Sequence, residues 1–220
     1  MLRGKCAGIA ELAAMTNALD DISPRWITAA ESPFGSPIFD CRSMALHTIG
    51  ASDDPERHVR FTELRQSDGS HVYGTRPDKA VRLDVHMEIE LSRSLPDRGP
   101  LFQAASMDEK WDIYRDGSLL YFVRSWSGEL IYVTDVVQTQ SGIAVHAVVV
   151  SEADIEPSDP FFHARVVNYL LWSHVADVVY PHPIPRDAQS DEEILTYSHS
   201  AYGRRGWFAV RDEFGSAEQM

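Results

Sequence analysis

One stretch of the sequence alternates potential metal ligands with apolar residues. The ligands occupy every second position of "AVRLDVHMEIELS", namely Asp84, His86, Glu88 and Glu90. Successive side chains of a β-strand point to opposite faces, so these residues would share one face. Because carboxylates and imidazoles bind divalent metals, Asp84, His86 and Glu88 are candidate metal ligands. The exposed face of an antiparallel sheet requires the same alternation, so both interpretations stay open.

A second candidate site lies in an aromatic block in which Arg124 stands inside a strand-like apolar run. Residues 112–133, "DIYRDGSLLYFVRSWSGELIYV", carry two short turn signals, Asp116-Gly117 and Ser127-Gly128. These turns predict three antiparallel strands. With Asp116-Gly117 as the first loop, Trp111 faces Phe122, and with Ser127-Gly128 closing the second turn, Phe122 faces Val133. One face of this meander then comprises Trp111, Ile113, Leu120, Phe122, Arg124, Trp126, Ile131 and Val133.

The guanidinium of Arg124 needs a partner on this apolar face, because an unpaired buried charge is very costly. Glu129 lies diagonally across the second turn, so a structural ion pair is one hypothesis. The other hypothesis is a binding site in which the guanidinium and aromatic rings receive an anionic or planar ligand. Its candidate ligand-binding residues are Arg124, Trp126, Trp111 and Tyr132.

The same region carries a sequence resemblance. Residues 107–133, "MDEKWDIYRDGSLLYFVRSWSGELIYV", contain an acidic-Lys-Trp-x-Ile-Tyr segment followed by Leu-x-Phe-x-Arg-Ser-Trp-Ser-Gly and Ile-Tyr. This block resembles a recurring block of poorly characterised bacterial proteins, some of which carry macro or ADP-ribosylglycohydrolase-like domains. The resemblance implies a bacterial family and transfers no catalytic residues. Glycine turns and aromatic cross-strand pairs are also what a stable meander needs.

The elements that would position these residues follow from periodicity. The spacing of apolar residues predicts an N-terminal amphipathic helix over about 5–20. Period-2 alternation over 58–150, preceded by a run from 38 that is ambiguous between strand and helix and is taken as strand, predicts a sheet over about 38–150. Its expected parts include a hairpin around Ser67-Asp68-Gly69, a strand over 80–92 and a loop over 93–106.

Two C-terminal helices are expected over about 159–203. Asp159 before a proline suits the N-cap of the first helix, and Ser190 with Glu193 forms a capping box for the second. "GWFAV" is a candidate closing strand, and residues 214–220 are an expected frayed tail. We predict a single α+β domain over 1–220, with a mainly antiparallel sheet of about seven or eight strands covered by one N-terminal and two C-terminal helices.

Composition narrows the function classes. The 220 residues carry 33 Asp plus Glu against 20 Lys plus Arg, a formal charge of −13, which disfavours nucleic acid as a partner. The one cationic cluster is Arg204-Arg205 in "YGRRGWF". Two cysteines without CxxC spacing and no long apolar run predict a soluble cytoplasmic protein that does not enter a membrane.

No nucleophile elbow or phosphate-binding glycine loop is present in the sequence. The leading hypothesis is therefore a non-catalytic domain that binds a small molecule or a protein partner, with no cofactor indicated. A second is a hydrolase of a nucleotide-like or phosphorylated substrate, which requires Arg124, Trp126 and the Asp84 row to face one cleft. A third is an oligomer-forming or toxin-neutralising protein whose acidic surface meets a basic partner; homo-oligomers are compatible with it.

Overall fold

The computed structural model describes residues 23–50 and 52–211. The helix expected over about 5–20 and the tail expected over 214–220 lie outside the described residues. Within the described part, two sheets and four α-helices form an α+β fold, as the sequence predicts.

The larger sheet has seven strands, and every pairing in it is antiparallel. Its strands are β3 (Ala80–Glu90), β4 (Arg98–Phe102), β5 (Trp111–Asp116), β6 (Leu119–Arg124), β7 (Leu130–Asp135), β8 (Val137–Gln138) and β9 (Gly142–Ser151). The order across the sheet is β3-β9-β7-β6-β5-β4, and the short β8 also pairs with β9. β3 and β4 are therefore the edge strands.

The smaller sheet has four short strands in the order β1-β2-β11-β10. They are β1 (Trp26–Ile27), β2 (Ile38–Asp40), β10 (His182–Pro183) and β11 (Phe208–Val210). β11 confirms the closing strand expected in "GWFAV". It pairs antiparallel with β2 and parallel with β10.

Four helices complete the described fold: α1 (Arg42–His47), α2 (Pro55–Leu64), α3 (Phe162–Leu170) and α4 (Asp191–Tyr202). The capping box at the start of α4 is confirmed, because Ser190 accepts the Glu193 N–H and Glu193 accepts the Ser190 N–H. α3 begins later than predicted, with Phe161 at its N-cap. The Asp159 carboxylate instead forms an ion pair with Arg165.

α3 and α4 pack on one face of the larger sheet, called here the inner face. α3 continues into a π-helical turn, Leu171–Val175, which also contributes to this core. The main core joins apolar side chains from both layers, including Val85, Met87, Ile89, Trp111, Ile113, Leu120, Phe122, Tyr132, Val145, Val148, Val167, Leu170 and Tyr202. The opposite, outer face carries a smaller core around Tyr114, Tyr121, Val123 and Val133.

The hairpin predicted around Ser67-Asp68-Gly69 is wrong. The segment before it forms α2, whose N-cap Asp54 accepts the Glu56 N–H and whose first residue is Pro55. Phe61 and Leu64, one helical turn apart, are the buried residues of this helix. Proline at the first helical position and a capping aspartate start a helix more strongly than the alternation favours a strand.

The loop expected over 93–106 contains β4. The strand contains Gly99 and Pro100, which interrupt the sequence pattern that would predict a strand. Both are accommodated because β4 is an edge strand, where an N–H facing away from the sheet is not needed.

The meander forms as predicted, with a changed register. Asp116 pairs with Leu119, so the loop residues are Gly117 and Ser118. Gly117 has φ +60°, a conformation that glycine adopts without the strain an aspartate would incur. Trp111 consequently pairs with Arg124.

On the next strand, Phe122 faces Tyr132 and not Val133, and the register shifts between Phe122 and Val123. Tyr132 therefore belongs to the inner core, whereas Val133 belongs to the outer one.

Candidate functional site

Arg124 is held by a helix end. Its guanidinium lies 4.2 Å from the centroid of the Trp111 ring, and its Nη1 donates to the carbonyl oxygen of Ala201 at 3.0 Å. Trp111 Nε1 donates to the same oxygen at 2.8 Å. Because Ala201 lies in the last turn of α4, two donors satisfy a carbonyl that the helix leaves free.

The predicted ion pair between Arg124 and Glu129 does not form, so that hypothesis is wrong. Glu129 is exposed, and the two residues meet only through their backbones, where the Arg124 N–H donates to the Glu129 carbonyl oxygen. A carbonyl acceptor and an aromatic face replace the predicted carboxylate.

Trp126 is separate from this arrangement. Lys110 Nζ lies 4.3 Å from the Trp126 ring centroid, and both side chains donate to the carbonyl oxygen of Met107, at 3.0 and 2.8 Å. Trp126 packs in a small cluster with Phe61. The structure therefore does not bring Trp126 to the ligand site predicted around Arg124.

The remaining predicted ligand-binding residues form a closed aromatic stack. The Tyr132 ring stacks on Trp111 with centroids 5.7 Å apart, and its hydroxyl is 2.8 Å from His163 Nδ1. Trp111 is 1% and Tyr132 is 3% exposed. Burial raises the pKa of Tyr132. The stack is filled by its own side chains, so it braces the sheet against the helices.

The predicted metal ligands lie on the outer face of β3 and are exposed. Asp84 pairs with Arg82 at 2.8 Å, and Glu88 lies 3.5 Å from His86. Within the ranges 23–50 and 52–211, no three His, Cys, Asp or Glu side chains are grouped as metal ligands. Arg124 is on the inner face, so it does not share a cleft with the Asp84 row. The arrangement that the hydrolase hypothesis requires is therefore contradicted.

A cavity of about 290 Å³ opens elsewhere, between the end of the α3 π-turn and the turn that follows α4. We call it the Arg204 cleft. Its lining residues are Glu109, Ser173, Asp177, Val178, Val179, Tyr180, Arg204, Arg205 and Trp207.

Arg205 forms a part of the cleft wall that is fixed by ion pairs. Its Nε lies 3.3 Å from Glu109 Oε1, and its Nη1 lies 3.0 Å from Asp177 Oδ1. Nη1 also donates to the carbonyl oxygen of Ser173, and the guanidinium lies 4.6 Å from the Phe102 ring centroid. Two carboxylates and several further contacts therefore fix this arginine, and the two carboxylates together exceed its positive charge by one.

Arg204 differs from its neighbour. It is exposed, and none of the described carboxylates pairs with its guanidinium. Its backbone is fixed, because its N–H donates to the Asp108 carbonyl oxygen at 2.8 Å and its carbonyl accepts from Trp207 Nε1 at 2.9 Å. Gly203 before it has φ +57°, and a Cβ there would lie 1.9 Å from the same Asp108 oxygen. Only glycine lets the chain turn this closely and present Arg204 to the cleft.

A neutral histidine lies behind the cleft wall. Ser173 Oγ donates to the Tyr169 carbonyl oxygen at 2.8 Å, so it accepts from His174 Nδ1 at 2.6 Å. His174 Nε2 then has a free lone pair and no partner among the described atoms. Burial, reinforced by the positive charge of Arg205, lowers the pKa of His174 well below its usual value.

Sequence reasoning identified only part of this site. The Arg204-Arg205 pair was visible as a cationic cluster between a helix-ending glycine and a tryptophan. Glu109 and Asp177 come from distant segments and carry no local signal. Asp177 is one of two described non-glycine residues with positive φ, at 55°, a feature visible only in the structure.

Comparisons with known proteins found no matching family model, no matching curated protein and no matching solved structure. In the part of the chain that the structure describes, no helix has the length and apolar character needed to span a membrane.

Proposed function

We propose that this protein is a ligand-binding domain whose Arg204 cleft receives a small molecule with an anionic group and a planar apolar group. The observation that carries the proposal is the exposed Arg204 guanidinium, without a carboxylate partner among the described residues, at a cavity of about 290 Å³. Small-molecule sites of proteins are clefts of about 300–1,000 Å³ with a few polar groups, and this cavity is near the lower end.

The exposed guanidinium of Arg204 favours an anionic ligand. The two arginines and the two carboxylates of the lining sum to zero formal charge, but both carboxylates contact Arg205. The Arg204 guanidinium is therefore left without an anionic partner among the described residues. An arginine side chain binds carboxylate and phosphate groups with two parallel hydrogen bonds.

The walls favour a planar apolar part. Trp207 and Tyr180 line the cleft and are both half-buried, and Val178 and Val179 extend the apolar surface. Tyr180 is held by stacking on Trp172, with centroids 5.7 Å apart and planes inclined by 13°. Aromatic side chains with a fixed orientation offer a surface on which a flat ligand can stack at little entropic cost.

The lining supports binding and not chemistry. The Ser173 hydroxyl proton is donated to a backbone carbonyl, and the two carboxylates are engaged by Arg205. Nucleophilic and general-base catalysis both need a free proton acceptor beside the reacting group. His174 Nε2 keeps a free lone pair, but its residue is only 2% exposed, so the groups at the cleft surface support binding as its proposed role.

The proposal can be tested by a thermal-shift screen combined with tryptophan fluorescence. The probes are aromatic carboxylates such as benzoate and nucleoside 5′-monophosphates, each compared with its neutral analogue, benzamide or the nucleoside. We expect at least one anionic probe to raise Tm and to quench Trp207 fluorescence, while its neutral analogue does neither.

Variants assign the effect to the cleft. Arg204→Ala should weaken binding of the active probe at least tenfold, and Trp207→Phe should remove the quenching. Arg57→Ala, which removes an exposed arginine of α2, serves as the matched control and should bind as the unchanged protein does. The proposal is refuted if no anionic probe binds, or if Arg204→Ala binds as tightly as the control.

The acidic-partner hypothesis remains a separate prediction. It expects an oligomer or a complex with a basic protein, driven by the formal charge of −13. Size-exclusion chromatography and a pull-down with basic partners would test it without reference to the cleft.

A further inference from the structure

Two histidines meet on the outer face of the β3–β9 ladder, and a bulge brings them together. The register of the two strands shifts by one residue between Asp84 and Met87. Two β3 residues, one of them His86, consequently lie opposite His146 alone. Bulges of this kind redirect side chains and are frequent beside functional sites.

Asp135 fixes the β9 side of this bulge. Its Oδ1 accepts the backbone N–H groups of both His146 and Ala147, each at 2.8 Å. The carboxylate therefore ties the backbone at the bulge to the neighbouring strand β7. The backbone that carries His146 is therefore held although its side chain is exposed.

The two imidazoles face each other through corresponding nitrogens. Nδ1 of His86 lies 3.4 Å from Nδ1 of His146, whereas the ring centroids are 5.3 Å apart. The nitrogens are thus the atoms that the rings turn toward each other.

Glu88 favours the tautomer of His86 that a metal ligand needs. Its Oε1 lies 3.5 Å from Nε2 of His86, the ring nitrogen other than the one near His146, and its negative charge favours a proton on Nε2. Metal-binding histidines usually donate their second N–H to a carboxylate, which leaves the other nitrogen with a free lone pair. Here that nitrogen is Nδ1.

We propose that the Nδ1 atoms of His86 and His146 together bind a divalent transition metal ion, with the remaining coordination positions open to water or to a ligand from solution. Two nitrogens that each lie about 2.0–2.1 Å from a tetrahedral zinc ion are about 3.4 Å apart, which is the separation found here. Imidazole nitrogens select Zn²⁺, Cu²⁺ or Ni²⁺ over Mg²⁺ and Ca²⁺. The site shares no residue with the Arg204 cleft and does not depend on the function proposed for it.

The site revises the ligand set expected from the sequence. His86 remains a ligand, Glu88 becomes a residue that orients it, and Asp84 is engaged by Arg82. His146 lies sixty residues away in the sequence and joins the site only through strand pairing.

The test is a titration of the full-length protein with ZnCl₂, followed by calorimetry and by long-range ¹H–¹⁵N spectra of the histidine rings. We expect one bound zinc ion that shifts the Nδ1 resonances of His86 and His146. His86→Gln and His146→Gln should each weaken zinc binding at least tenfold, and Glu88→Gln should weaken it less. His58→Gln, at an exposed histidine of α2, is the matched control and should bind as before.

Several outcomes overturn the proposal. These are no zinc binding up to 1 mM, equal affinity in His86→Gln and the His58→Gln control, or coordination through Nε2. The ring spectra of the unchanged protein show directly whether zinc binds through Nδ1 or Nε2. The proposal can therefore be tested even if a variant fails to fold.

Discussion

Two pairs of a cation and a tryptophan explain why Arg124 stands inside the aromatic block and why Lys110 stands just before it. Arg124 lies over Trp111 and shares the Ala201 carbonyl with it, and Lys110 lies over Trp126 and shares a carbonyl in the same way. In each pair the indole N–H and the cation satisfy one backbone oxygen. Lys110 and Arg124 are therefore structural residues that join the sheet to the segments around it.

We expect Arg124→Ala to lower the free energy of unfolding by about 1–3 kcal/mol, because it removes a charged hydrogen bond and a cation–π contact. Arg124→Lys should recover part of the loss, since a lysine keeps the charge but lacks the planar stacking surface. Urea denaturation measures both changes. Arg57→Ala, at an exposed position of α2, controls for the removal of an arginine. If Arg124→Ala lowers the free energy of unfolding no more than this control does, the structural role of Arg124 is contradicted.

A buried carboxylate predicts a specific pH dependence. Burial raises the pKa of Asp112 to about 6, although its Oδ1 accepts the Ala104 N–H at 2.8 Å. Because the folded pKa lies above the unfolded value of about 3.9, the folded state holds this proton more tightly. The stability that Asp112 contributes is present below pH 4 and is lost as the pH rises through 6.

Asp112→Asn removes this titration while its amide oxygen can still accept the Ala104 N–H. Relative to the unchanged protein, the variant should gain about 2–3 kcal/mol between pH 4 and pH 7, with no further change at higher pH. Urea denaturation across this range measures the difference. Asp53→Asn, at an exposed aspartate, controls for the lost charge. A constant difference across the range would show that Asp112 is not responsible.

At the scale of elements, α4 connects the two sheets. Tyr202 packs in the main core and its hydroxyl donates to the Pro183 carbonyl oxygen of β10 at 2.8 Å. Ile194, two turns earlier, packs with Phe39 and Ala209 of the smaller sheet. A change that destabilises either end of this helix is therefore expected to weaken its packing against both sheets.

Ser190→Ala should destabilise the protein by about 1 kcal/mol, because it removes the hydroxyl that caps the Glu193 N–H. Ser200→Ala, at an exposed position inside the same helix, is the matched control. Its effect should stay within about 0.5 kcal/mol, since alanine is the better helix former there. Thermal and urea unfolding of both variants provide the measurement, and equal effects would argue against the capping role.

For the whole molecule, the contacts of α4 predict that the two sheets open together. Native-state hydrogen exchange should give similar opening free energies for the amides of β6 and of β11. Tyr202→Phe removes the hydrogen bond to β10 and should lower both values by the same amount, about 1 kcal/mol. If only the β11 amides respond, the sheets are separate units and the prediction of a single domain is wrong.

Much of the fold could be predicted from local sequence patterns. The alternation over 80–92 and the capping box at Ser190 act within a few residues, and both elements formed as predicted. The same kind of signal failed where two local patterns competed, as at Asp54-Pro55, where a helix start overrode an apparent strand. It also failed for β4, because an edge position tolerates residues that would interrupt a central strand.

The sequence by itself determined the fold class, the inner and outer faces of β3 and the existence of the meander, because periodicity and turns are properties of neighbouring residues. Only the tertiary structure decided which groups meet. The acceptor of Arg124 is 77 residues away along the chain, and the partners of Arg205 are 96 and 28 residues away. Contacts over such separations form only when the whole core closes. Both proposed sites, the Arg204 cleft and the His86–His146 pair, depend on that closure.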